Sequence, residues 1–263
     1  QGHSTAFADQ VTLAAAGTLS ATSNINAVNL ISLHAGGPLN ANLNLTVAGS
    51  DGTIDLHSGQ PLGLDDATFL RATKRVSLSS DHDISVGSAN IQGIAGAPLA
   101  EVSINAGGNL SLRGSAIAAS RLIALEAGGA LNADLNLTAA GADSTIALHS
   151  GESLNLSGST VLRATKRVSL SSDHDLNVDI ASIQGVGGAP LSEVAIEAGG
   201  NLHLEGGPVT VGKSISLAAG GALSADLDLR ADGAGGTIEI TAGGDLAFAA
   251  PGAGGRTLTA TKR

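Results

Sequence analysis

The chain has no cysteine, tryptophan or tyrosine, and Phe7, Phe69 and Phe248 are its only phenylalanines in 263 residues. Absence of cysteine excludes disulfides, thiolate metal sites and thiol redox chemistry, and leaves the compartment open. With three bulky rings in all, a conventional globular core lacks its usual largest members. Prolines number 6 against 37 glycines, too many glycines for a helical protein. Charged residues make up 14% and hydrophobic residues 43%, which is too apolar for a disordered chain. A β-rich protein with many turns fits this balance.

Basic residues are scarce too, at 13 against 23 acidic, for a net charge of -10. Such a surface repels nucleic acid and anionic membranes, so no nucleic-acid partner is expected. There is no signal peptide, lipidation motif or apolar run of membrane length, so no membrane insertion is expected. The chain opens on Gln1 and reads as an internal or processed piece.

What the chain does have is repetition. The twelve residues ATKRVSLSSDHD stand at Ala72 to Asp83 and again at Ala164 to Asp175, 92 positions on. Strand-like starts fall at Val11, Ile31, Ile54, Val76, Val102, Ile123, Ile146, Val168, Val194, Ile215 and Ile238. The spacings 23, 22, 26 and 21 recur in that order and total 92. The long repeat is therefore four short ones, each with its own loop length.

Within a short unit the apolar residues alternate. Ile31, Leu33 and Ala35 lead into Gly36-Gly37, then Leu39, Ala41, Leu43, Leu45 and Val47. A period of two means strand. Ala-Gly-Gly recurs from Ala35, Ala106, Ala127, Ala198, Ala219 and Ala242, and these glycines are expected to turn corners through positive φ. One unit cannot bury its apolar face alone, but stacking units makes a continuous core.

The predicted fold is all-β: a right-handed parallel β-helix (β-solenoid) of about eleven coils of 20 to 26 residues. Residues 1–263 are expected to form one repeat region of a longer rod, with super-repeats near 31–122, 123–214 and a partial 215–263. A propeller would need about twice the period and aromatic blade motifs. At a strand spacing of about 4.8 Å the rod is about 50 Å long, and 92 residues advance it by about 19 Å.

That rise keeps the two acidic triplets from sharing one ion. Asp81, His82 and Asp83, with the copies Asp173, His174 and Asp175, are candidate metal ligands, yet three adjacent ligands chelate only if the backbone folds them inward. The other reading makes them turn residues, with the carboxylates pairing with Arg75 or Arg167 or bonding to the corner backbone. Basic residues cluster at Arg71, Lys74 and Arg75, at Arg163, Lys166 and Arg167, and at Lys262 and Arg263. Such an edge offers contact to a sulfated glycan or an acidic receptor, or else satisfies nearby aspartates.

His34 and His57 fall in one column, with His149 in the same frame, which suggests a proton switch, a metal pair or a solvent-facing polar ladder. Asn44-Leu45-Thr46 and Asn136-Leu137-Thr138 match the glycosylation acceptor pattern, as an outward strand face also would. No catalytic constellation stands apart from the repeat, and no cofactor is implied.

The coils ISLHAGGPLNANLNL, VSINAGGNLSL, IALEAGGALNADLNL and ISLAAGGALSADLDL resemble the repeats of filamentous haemagglutinin-type exoproteins, from about Val11 to Arg263. That resemblance implies a very large bacterial protein exported through an outer-membrane two-partner-secretion transporter to the cell surface. It further implies a right-handed β-helical shaft that acts as an adhesin or presents a toxin or receptor-binding tip. The NPNL-type and NPNG-type motifs of that family's secretion domain are absent, as is RGD.

The expected function is thus a shaft segment, not an enzyme. A glycan-binding or receptor-binding module is the alternative, and a β-helical carbohydrate-active enzyme a third reading. TATKR at Thr259 to Arg263 repeats a coil boundary four residues late, which points to a corner loop lengthened at Pro251 to Gly255 and to open ends able to associate end to end.

Overall fold

A computed structural model describes residues 7–64, 68–87, 90–94, 98–114, 116–158, 160–180, 182–248 and 258–260. The lengthened loop expected at Pro251 to Gly255 and the basic pair Lys262 and Arg263 lie outside these residues. Among the described residues 30 strands lie in two sheets, of 19 and 11 strands, and there is no helix. Successive coils pair in parallel, so the chain forms a β-solenoid.

The eleven strand starts read from the sequence form one unbroken ladder. Val11 pairs with Ile31, Ile31 with Ile54, and so on through Val76, Val102, Ile123, Ile146, Val168, Val194 and Ile215 to Ile238. Each coil has three faces. In the coil that begins at Ile31 the first carries Ile31, Leu33 and Ala35 inward, the second Leu39 and Ala41, the third Leu45 and Val47. The second faces make up the smaller sheet.

First and third faces share the larger sheet because three strands, Ile25–Ala35, Ile117–Ala127 and Val209–Ala219, run from the third face of one coil to the first face of the next. The preceding coil slips register opposite each of them, between Ala8 and Gln10, Leu99 and Glu101, and Leu191 and Glu193. Ala260 pairs with Ala231 as Ala72 pairs with Val47, so the late copy of the repeat still enters the ladder in frame.

One core runs through the stack, built of Leu, Ile, Val and Ala. Burying each such leucine or isoleucine contributes about 1.5–3 kcal/mol. The phenylalanines take no part, since Phe7 and Phe248 are exposed and Phe69 sits on an outward position.

The first corner differs from the expectation in its physical cause. Among the described residues positive φ occurs at Asp143 and at Gly114, Gly158, Gly187, Gly188, Gly206 and Gly235, and at none of the Ala-Gly-Gly glycines. Close stacking is what requires them. A Cβ on Gly107 would lie 2.3 Å from the Asp81 carbonyl oxygen, and one on Gly128 2.3 Å from that of Gly107. This lets the N–H of Gly108 reach the His82 carbonyl at 3.0 Å, and that of Gly129 the Gly108 carbonyl at 2.9 Å.

Where the second corner residue carries a side chain, the inward residue before the corner changes from Ala to Ser. Gln60, His82, Glu152 and His174 follow Ser58, Ser80, Ser150 and Ser172, all buried. Ser58 Oγ donates to the Gly37 carbonyl at 2.9 Å, Ser80 to Gln60 at 2.8 Å, Ser150 to Gly129 at 2.7 Å, and Ser172 to Glu152. The N–H of His82 in turn donates to Ser80 Oγ at 3.1 Å. At Gln60 and His82 the hydroxyl bridges two backbone groups that the bulkier corner holds apart, whereas at Glu152 and His174 the N–H also reaches the carbonyl of the coil before at 3.3 Å; in each case neither group is left buried without a partner.

Candidate functional surface

Most positions of the duplicated twelve residues have a local structural task. Ala72, Val76 and Leu78 are core. Thr73 Oγ1 accepts the N–H of Gly52 at 2.8 Å and donates to the Gly49 carbonyl, so it ties the third corner to the coil before. Thr165 accepts the N–H of Ser144 at 3.0 Å and donates to the Gly141 carbonyl at 2.7 Å in the second copy. Lys74 pairs with Asp51 at 2.9 Å, Ser79 bonds to His57, and Ser80 bridges the first corner.

The acidic triplets lie at that first corner, exposed, level with Gly107-Gly108-Asn109 and Gly199-Gly200-Asn201. Asp83 Oδ1 accepts the Asn109 N–H at 2.7 Å, and Asp175 Oδ1 that of Asn201 at 2.7 Å. His82 Nε2 is 3.2 Å from Gln60 Nε2, and His174 Nδ1 is 3.3 Å from the Gly151 carbonyl. A shallow groove of about 410 Å³ passes Glu152, Asp173, His174 and Asp175. Among the described residues, no three His, Asp or Glu side chains converge in a way that would hold a metal ion.

The basic residues are dispersed over two faces and one corner. Arg71 lies on the third face over the Phe69 ring, 4.9 Å from its centroid, a cation–π contact. Arg163, its copy, is level with Gln184; with the amide oriented by its hydrogen bonds, Gln184 Oε1 accepts from Arg163 Nη2 at 2.9 Å and Nε at 2.8 Å. Arg75 and Arg167 begin the first face, between Thr53 and Glu101 and between Thr145 and Glu193. Lys166, Arg75 and Arg167 are exposed and make no ion pair among the described residues.

Loop 185–190 beyond Gln184 is a departure from the regular coil that the sequence did not single out. It borders a groove of about 430 Å³ with Arg163 and Thr210. On the second face Asn155 Nδ2 donates to Asn132 Oδ1 and Asn177 Nδ2 to Asn155 Oδ1, both at 2.9 Å. The glycosylation match at Asn136 coincides with a structural bond, its Oδ1 accepting the Val161 N–H at 2.8 Å.

The histidine column is real. His34 and His57 are register partners with stacked rings, and His149 takes the same position four coils on, level with Glu126. Ser171 Oγ is 3.0 Å from His149 Nδ1, as Ser79 is 2.9 Å from His57 Nδ1. These pairs recur with the repeat, and among the described residues no carboxylate hydrogen-bonds to either ring. They tie coil to coil. No described helix is long and apolar enough to cross a membrane. Comparison of the chain with protein-family models, curated proteins and solved structures finds no match in any of the three.

Proposed function

We propose that this chain is a structural shaft segment of a large secreted bacterial protein that projects an adhesive or toxin-bearing tip from the cell surface. The observation that supports it is the use of polar side chains to bond coil to coil. Thr73, Ser80, Asp83 and Asn109 with their copies, and Asn155, bond a neighbouring coil of the same chain, which is what stiffness along an axis requires. The resemblance to filamentous haemagglutinin-type repeats supports export through an outer-membrane two-partner-secretion transporter. Surface labelling of the source cell with an antibody to the chain is the test. Signal on intact cells that disappears when the transporter is deleted is expected; signal only after lysis overturns the reading.

Arg75, Lys166 and Arg167, exposed and without an ion pair among the described residues, favour a second reading, in which these cations hold sulfated glycan or an acidic receptor. Retention on a heparin column at physiological salt that falls with each charge removed supports it. Elution in the flow-through rejects it.

A further inference from the structure

The geometry points to a divalent-metal site at His34 and His57, a staple between two neighbouring coils that binds zinc or a similar borderline ion. The two residues are register partners on adjacent parallel strands, with ring centroids 4.5 Å apart and planes inclined by 21°. His57 Nδ1 lies 2.9 Å from Ser79 Oγ, and Ser79 Oγ donates to the Leu56 carbonyl at 3.4 Å. A hydroxyl has one proton to give. With that proton on Leu56, Ser79 accepts from the His57 Nδ1–H, and the His57 lone pair resides on Nε2. Fixing one ring nitrogen as a donor is how proteins orient a histidine that ligates metal through the other.

His34 is the more exposed ring of the two. A zinc–imidazole bond is about 2.0–2.1 Å, so one ion serves both Nε2 atoms once they lie within about twice that distance. Face-to-face rings do not share an ion as they stand, and a rotation of the His34 ring supplies the missing angle. Water fills the remaining coordination positions. Asp55, exposed two residues before His57 on the same outward face, adds negative charge beside the ion. Imidazole nitrogen selects zinc, copper or nickel over calcium.

The second super-repeat supplies a comparison with a different ligand pair. His149 has the same bond to Ser171, and Ser171 the same bond to the Leu148 carbonyl, but the coil before it carries Glu126 where His34 would stand. In the third, Ala218 and Thr241 occupy the two positions.

Zinc titration of the full chain, read by imidazole nitrogen NMR, tests the site. His34 and His57 are expected to shift on one curve that saturates at one ion, while His149 does not follow it. His57→Ala and His34→Ala each abolish the response of the remaining partner, and His149→Ala leaves it intact. Ser79→Ala weakens the site about 10-fold or more by freeing the tautomer. Separate curves for the two rings, no shift at either, or a His34 response that survives His57→Ala would overturn the proposal. Calcium is expected to shift neither ring, and an equal response to calcium counts against it.

Discussion

The Asp83 carboxylate accepts the backbone N–H of Asn109, one coil on, at 2.7 Å, and the Asn109 side chain accepts the N–H of Ala130 on the following coil at 2.9 Å. Asp and Asn therefore do one task in one column. Asp83→Asn is expected to leave stability nearly unchanged, whereas Asp83→Ala exposes the Asn109 N–H and costs about 1 kcal/mol. Amide hydrogen exchange at Asn109 reads this directly, faster in the alanine variant and unaltered in the asparagine one. Equal exchange in both would mean that the carboxylate carries no structural load.

The serine bridge makes a sharper claim, because it links two positions of the sequence. Ser80→Ala leaves the Gln60 carbonyl and the His82 N–H without their partner, at a cost of about 1–3 kcal/mol. Replacing His82 by glycine as well recreates the Ala-x-Gly corner, in which the N–H meets the carbonyl of the coil before it directly. The double variant is expected to recover about 1 kcal/mol or more relative to the sum of the single ones, measured by a denaturation cycle. Additive losses would separate serine from the bulk of its neighbour.

Glycine at the first corner answers to space, not to backbone handedness. Gly107→Ala brings a Cβ to 2.3 Å from a backbone carbonyl that cannot withdraw without breaking the ladder, while nothing lies within 4 Å of a Cβ on Gly17. The first substitution is expected to lower stability by about 1–3 kcal/mol and the second by much less. Melting temperatures of the two variants make the comparison, and equal shifts would restore a conformational explanation.

Alternation from Ile31 to Val47 and the recurrence of coil starts were enough to read the fold, because a period-two pattern admits one inward face and stacking is the only way to bury it. Every coil start from Val11 to Ile238 took its expected place in the ladder. The role of the Ala-Gly-Gly glycines was misread, since clash with a carbonyl 20 or more residues away is not encoded locally. Ser58 and Ser80 passed unnoticed for the same reason. Their signal was present, however, in the exchange of Ala for Ser wherever the residue two positions later is not glycine. The acidic triplet was legible as a turn from its alignment with Gly107-Gly108-Asn109, but that Asp83 is the residue whose carboxylate meets the Asn109 N–H was not, because the partner stands 26 residues away on the next coil.

Lys74-Arg75 and Lys166-Arg167 are dibasic sites that an unfolded chain offers to trypsin, and the ladder withdraws them. The Lys74 N–H donates to the Gly52 carbonyl at 3.0 Å and its carbonyl accepts from Glu101 at 2.9 Å; Lys166 bonds Ser144 and Glu193 at the same two distances. Cleavage needs several residues freed from both neighbouring coils, so it reports the population of locally opened states. Cleavage after Lys74 and Lys166 is expected to be at least about 100-fold slower in buffer than in denaturant, which corresponds to an opening free energy near 2.7 kcal/mol or above. Because their flanking bonds match, the two sites should also be cut at similar rates. Rapid native cleavage at either, followed by mass spectrometry of the fragments, would show that the coil boundary opens freely and that a load-carrying shaft is the wrong description of this stack.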